Sequence, residues 1–200
     1  NNGLNAVQAM KIPNTLDNLI SAKAVTPVIA VFIQAPNSFV EYARQNRDTY
    51  AEMVVKELVP YVDSHYRTKA KSQARAYMGG DEGAYAAFYA AFKYPGTFSM
   101  LGGQSTHLLP GSGGEELLAL VRQSGKQPLT LYLDWGSYDY RNAAQSFNWA
   151  DFNRSFVKLL QEKGYAYTGG EVSEGWGLAS WRNRTDRVLE TFFAIKKTQK

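Results

Sequence analysis

The sequence predicts an α/β fold, a mostly parallel sheet with helices on both faces, and three observations predict it. Short apolar runs alternate along the chain with longer stretches of helical period, the pattern of buried strands joined by crossover helices. One of those runs ends in the turn "MGGDEG" and passes directly into a segment dense in Ala and aromatic residues, a sharp strand-to-helix junction. The length of 200 residues, 44% of them hydrophobic, is enough for one substantial core and requires no second domain.

The first strand is expected at 27–34, "PVIAVFIQ", a β-branched apolar run. The stretch "NRDTYAEMVVKELVPYVDSHY" follows, with Tyr50, Val54, Leu58 and Tyr61 at helical spacing; it predicts a long amphipathic helix that Pro60 kinks or restarts. The second strand, 74–79 "ARAYMG", leads into a helix over 82–93, "EGAYAAFYAAFK", apolar nearly all round and stopped by Pro95 and Gly96. Strands at 97–103, 129–135 and 166–172 complete the set, with helices at about 114–123, 149–163 and 180–195. The segments 104–113, "QSTHLLPGSG", and 136–148, "GSYDYRNAAQSFN", read as loops at strand ends.

Composition narrows the function classes. The net charge of +4 comes from scattered basic residues, with only "TKAKSQAR" and the tail "KKTQK" mildly clustered, so no nucleic-acid surface is expected. Without cysteine there are no disulfides, thiolate nucleophiles or cysteine metal sites. The two histidines, His65 and His107, stand in no HExxH or paired-His spacing, and no resident metal or other cofactor is expected. No apolar run reaches the roughly 18 residues of a membrane span. The compartment stays open, a secreted or periplasmic location being slightly favoured.

Gly79 and Gly83 flank Asp81 two residues to either side, which is the GxSxG outline of a nucleophile elbow in every respect but the serine. With this turn in place, the chain resembles the "putative esterase" family of the α/β-hydrolases, which contains enterochelin esterase catalytic domains, feruloyl esterase modules and S-formylglutathione-hydrolase-like proteins. Five segments carry the resemblance: "TLDNLISAKAVTPVIAVFI", "YAEMVVKELVPYVDSHYRT", "RAYMGGDEGAYAAFYAAFKYPGTFSMLGGQS", "LYLDWGSYD" and "SEGWGLASWRNRTDRVLETFF". It runs from about residue 15 to 195 and implies an α/β-hydrolase fold. It also implies that the fold's first strands precede "NNGLNAVQAM". Residues 1–200 then form the larger, C-terminal part of a single domain, and a further segment or chain completes the sheet.

Carried over residue by residue, the resemblance puts Asp81 at the nucleophile position and Asp139 at the acid position, with Asp134, still within its strand, as the alternative. Aligning "SWRNR" puts Trp176 at the histidine position. The oxyanion-hole amide is that of Glu82. An aspartate is already ionised and needs no base to attack, and some hydrolases of this superfold use one, but the resulting ester needs a general base to be hydrolysed. Indole accepts no proton, so Trp176 supplies none.

His107, in a loop bordering the pocket, and the carboxylates Glu82 and Glu174 are the candidate substitutes, whereas His65 is expected to be structural. Asp81 is itself expected to cap helix 82–93, as suits an acid at a helix N-terminus. The leading expectation is a catalytically degenerate esterase-like domain that binds a small molecule, glycan or protein through an aromatic-rimmed pocket. The rim is drawn from Trp135, Tyr138, Tyr140, Trp149, Trp176 and Trp181. The alternatives are an active ester hydrolase using Asp81 or a non-standard base, and a structural subunit of a larger assembly.

Overall fold

Four of the five strand-like runs form one parallel sheet in the computed structural model of the chain, which describes residues 3–142 and 147–195. The N-terminal part holds α1 (Gly3–Gln8), α2 (Ile12–Ser21), a π turn at Phe39–Ala43, α3 (Arg47–Met53), a second π turn at Val54–Leu58 and α4 (Val59–His65). The alternating part holds β1 (Ala76–Gly80), α5 (Glu82–Lys93), β2 (Met100–Gln104), α6 (Gly114–Gln123) and β3 (Thr130–Tyr138). A two-strand ribbon of β4 (Arg141–Asn142) and β5 (Phe147–Asn148) precedes α7 (Trp149–Glu162), β6 (Tyr167–Gly175), α8 (Leu178–Arg182) and α9 (Thr185–Phe193).

The sheet order is β1-β2-β3-β6, each neighbouring pair parallel. Helices cover both faces, and the glycines of β2 show how closely. A methyl group on Gly102 would lie 2.8 Å from Val188 of α9, and one on Gly103 would lie 2.9 Å from Phe88 of α5. Successive residues of a strand point to opposite faces, so α5 and α9 sit on opposite sides of the sheet. The larger apolar cluster gathers α3, α5 and α7 around Tyr85, Phe88, Leu101, Leu133 and Phe156; the smaller joins α1 and α2 to Trp181 and Leu189.

Local chemistry explains the helices. Every residue of α5 from Gly83 to Phe92 is buried, as its all-round apolar composition requires. Asn148 caps α7, its side-chain oxygen accepting from the Ala150 amide. The expected bend in the long helix takes the form of the π turn at 54–58, immediately before Pro60 in the first turn of α4. A proline has no amide to donate and crowds the carbonyl four residues back; a locally widened turn accommodates both.

Three expectations need correction. Residues 27–34 belong to no strand, and Ile29 and Val31 are about half exposed. Strand propensity expresses itself only beside an available ladder, and β1, at the sheet edge, does not pair with this run. The expected helix over 180–195 is two helices, because Arg184 leaves helical geometry (φ −125°, ψ 1°) and turns its side chain inward. Finally, the loop expected at 136–148 begins with the last residues of β3 and holds the β4–β5 ribbon; its residues 143–146, like the tail "KKTQK", lie outside the described residues.

Candidate functional site

The junction of β1 and α5 has the geometry of an elbow. Asp81 sits at φ 54°, ψ −125°, a region non-glycine residues rarely occupy. The turn requires Gly79 and Gly83 to touch: a Cβ on Gly79 would lie 2.5 Å from the Gly83 carbonyl carbon. Backbone bonds fix the conformation. The Asp81 amide donates to the Gln104 carbonyl at 3.0 Å, and the Asp81 carbonyl accepts from the amides of Ala84, Tyr85 and His107.

The Asp81 side chain does not cap α5. It turns to His107, whose Nδ1 lies 3.2 Å from Asp81 Oδ1. The backbone cause is the strained turn, which aims the side chain across the end of the sheet rather than back along the helix. His107 is itself only 2% exposed, edge-on to Phe39 at 5.9 Å and to Trp149 at 5.2 Å, and its Nε2 has no hydrogen-bond partner among the described residues.

Glu82, the first residue of α5, is half-buried beside this pair. Burial and the adjacent Asp81 carboxylate push its carboxyl up to about 7, while His107 and the Glu82 amide, a donor to its own side chain, pull the other way. That amide is the expected oxyanion-hole donor. One ring nitrogen of His107 and one oxygen each of Asp81 and Glu82 lie within 4.8 Å of one another, which makes them the metal-capable group among the described residues. Sequence spacing gave no sign of it, because His107 is far from the carboxylates along the chain and is brought in by the turn after β2.

Asp81 and Glu82 open onto a cleft of about 220 Å³, walled also by Asn5, Met10, Tyr42, Leu178, Trp176 and Trp181. Trp176, expected at the histidine position, is 49% exposed and packs edge-on against Trp181 at 5.3 Å. The contributions of α1 and Tyr42 carry no signal in the sequence that singles them out. A second hollow of about 250 Å³, walled by Arg44, Arg47, Gly113 and Glu116, shares no residue with the cleft.

The other expected site residues lie elsewhere. Asp139 follows β3 and is buried, which raises its carboxyl above the ordinary 3.8 by more than Ser105 and the Gly136 backbone draw it back. Among the described residues neither of its oxygens makes a well-formed hydrogen bond. Asp134 is committed to structure: it accepts from Arg184 Nε at 3.0 Å, Arg184 Nη2 at 3.1 Å and the Tyr132 hydroxyl at 2.8 Å. Glu174 pairs with Arg184 and accepts from the Ser180 hydroxyl, and it is not among the residues walling the cleft.

Of the aromatic residues expected at a rim, Trp176 and Trp181 reach the cleft. Trp135 and Trp149 are buried, their indole N–H groups on Glu171 and the Ser105 carbonyl, whereas Tyr138 and Tyr140 are exposed. His65 stacks on Tyr61 at the end of α4.

Comparison with known proteins agrees with this architecture. The sequence profile described as "Putative esterase" matches residues 2–188. Among solved structures, the enterobactin esterase FES of Shigella flexneri superposes with a TM-score of 0.80 at 20% identity, over 96% of this chain and 50% of that one. A ferulic acid esterase gives a TM-score of 0.72 at 14% identity, over 96% of this chain and 80% of that one. An S-formylglutathione hydrolase (FrmB) of Staphylococcus aureus gives 0.53 at 17% identity, over 71% and 63%. The chain thus spans about half the length of the enterobactin esterase it matches.

Proposed function

The chain belongs to the "putative esterase" family, with an α/β-hydrolase fold, and from that premise we propose that it binds a ligand in the elbow cleft without performing serine-type ester hydrolysis. One observation carries the reading: the elbow is intact in backbone, yet its side chain is Asp81 paired with His107, and Trp176 walls the cleft where the family resemblance expects the base. A serine esterase needs a hydroxyl, an imidazole to take its proton, and free amides for the oxyanion. Here the first two are replaced, and among the described residues Asp139 orients no imidazole. What the cleft retains is a small, partly apolar space with carboxyl groups and two indoles on its walls, which suits a small ligand or a protein side chain.

A second reading is favoured by the 3.2 Å contact itself: Asp81 attacks an ester and His107 serves as the base that hydrolyses the acyl-enzyme. The two readings separate in an assay with short-chain nitrophenyl esters. The binding reading expects no turnover above background from the natural protein, whereas the second expects turnover that Asp81→Asn removes. Asp81→Ser combined with Trp176→His is expected to gain at most weak activity, because the Glu82 carboxyl stays on the cleft wall beside the elbow, where it opposes a developing oxyanion.

We extend the proposal to the sheet. Among the described residues β1 is an edge strand and the β-branched run 27–34 joins no ladder, so a further segment or a partner chain that adds a strand beside β1 would complete the domain.

A further inference from the structure

We infer that Asp81, Glu82 and His107 together bind a divalent metal ion of the zinc or manganese kind at the elbow. This rests on the reading of the cleft as a binding site and names what its carboxyl wall holds.

The geometry is that of co-ligands. An ion at ~2.1 Å from two donors sets them ~3.0 Å apart as octahedral neighbours and ~3.4 Å apart as tetrahedral ones. Asp81 Oδ1 and His107 Nδ1 stand 3.2 Å apart, between those values and longer than the ~2.7–2.9 Å of a charge-assisted hydrogen bond. The nearest Glu82 oxygen closes a triangle whose sides are all within 4.8 Å.

The local charge is uncompensated. Two carboxylates on consecutive residues, one buried and one half-buried, face a single imidazole, and among the described residues neither forms an ion pair with a lysine or arginine. The N-terminus of α5 opposes a cation here with a field equivalent to roughly half a charge, which two carboxylates outweigh. Of the two ring nitrogens of His107, Nδ1 is the one that faces the Asp81 carboxylate.

Asp81 and Glu82 also line the cleft, which gives an ion a way in and gives water or a ligand the remaining coordination positions. A set of one imidazole nitrogen and carboxylate oxygens suits zinc or manganese better than calcium or magnesium, which take oxygen alone.

The test is isothermal titration of chelator-treated protein with zinc chloride and with manganese chloride, paired with thermal melts in each ion. The expected result is one equivalent bound with a dissociation constant in the micromolar range or tighter, and a rise in melting temperature. Asp81→Asn and His107→Phe should each weaken binding at least tenfold and remove the thermal shift, while His65→Ala leaves both unchanged. Should either variant fail to fold, Glu82→Gln provides the same comparison from the half-buried side of the site. Binding no tighter than millimolar, or binding that survives these substitutions, overturns the inference. Absent zinc affinity together with absent ester turnover sinks the metal site and leaves the binding reading standing. Zinc-dependent ester hydrolysis supports the metal site and overturns the non-hydrolytic reading.

Discussion

Asp81 holds a backbone conformation that costs about 1–3 kcal/mol for a non-glycine residue, and it persists because the Gln104 carbonyl and three amides around it determine the turn. The glycine spacing made that turn legible in the sequence, and it made Asp81 visible as the odd residue within it. It could not reveal the partner, because the approach of His107 depends on the left-handed Ser105 that follows β2, a conformation no local pattern announces. Asp139 is the complementary case: the sequence singled it out, but its burial without a well-formed hydrogen bond among the described residues depends on distant packing that no local pattern announces. Its raised folded-state pKa means its contribution to stability is full below the ordinary 3.8 and is lost as pH rises through the folded value. Asp139→Asn should therefore stabilise the protein at pH 7 by ~1 kcal/mol and have little effect at pH 3, as measured by urea unfolding at both. A loss of stability at pH 7 would contradict this account of Asp139. Arg184 behaves oppositely. Buried against Asp134 and Glu174, its replacement by Met leaves two carboxylates without their cation, and a loss of about 3–5 kcal/mol is expected in the same measurement.

Among the elements, those with strong local signals were read well. α5 and α6 occupy the residues their composition and flanking Gly and Pro predicted, since an apolar helix with clear stops depends little on its surroundings. Strand ends moved by a few residues, because a strand ends where its neighbour's ladder ends. The division of the last helix into α8 and α9 was not legible, being imposed by the inward turn of Arg184 toward β3. The junction of β1 with α5 is the least tolerant element. Gly79→Ala would press a methyl group into the Gly83 backbone at 2.5 Å, where no flexible side chain can yield, so destabilisation at or above the usual overpacking range of ~1–3 kcal/mol is expected. Melting temperature checks it, and a variant as stable as the natural protein would show that the two glycines need not touch.

At the scale of the whole molecule, the parallel order of the sheet and its helix-covered faces followed from the alternation of apolar runs, whereas the state of residues 27–34 did not, because pairing is a non-local property. Their exposed Ile29 and Val31 give a direct check on the open edge. In the 200-residue chain alone, Ile29→Lys should change stability by no more than about 0.5 kcal/mol, the ordinary range of a surface substitution. A loss of several times that would show the run to be covered in solution. The molecule joins an esterase-family scaffold to an elbow whose acid faces a buried histidine and whose cleft a tryptophan walls, and we propose that this arrangement binds rather than hydrolyses. The rate of nitrophenyl acetate hydrolysis by the natural protein, measured beside Asp81→Asn, tests that claim most directly. Equal rates at the level of buffer are predicted; turnover by the natural protein that disappears in Asp81→Asn would contradict it.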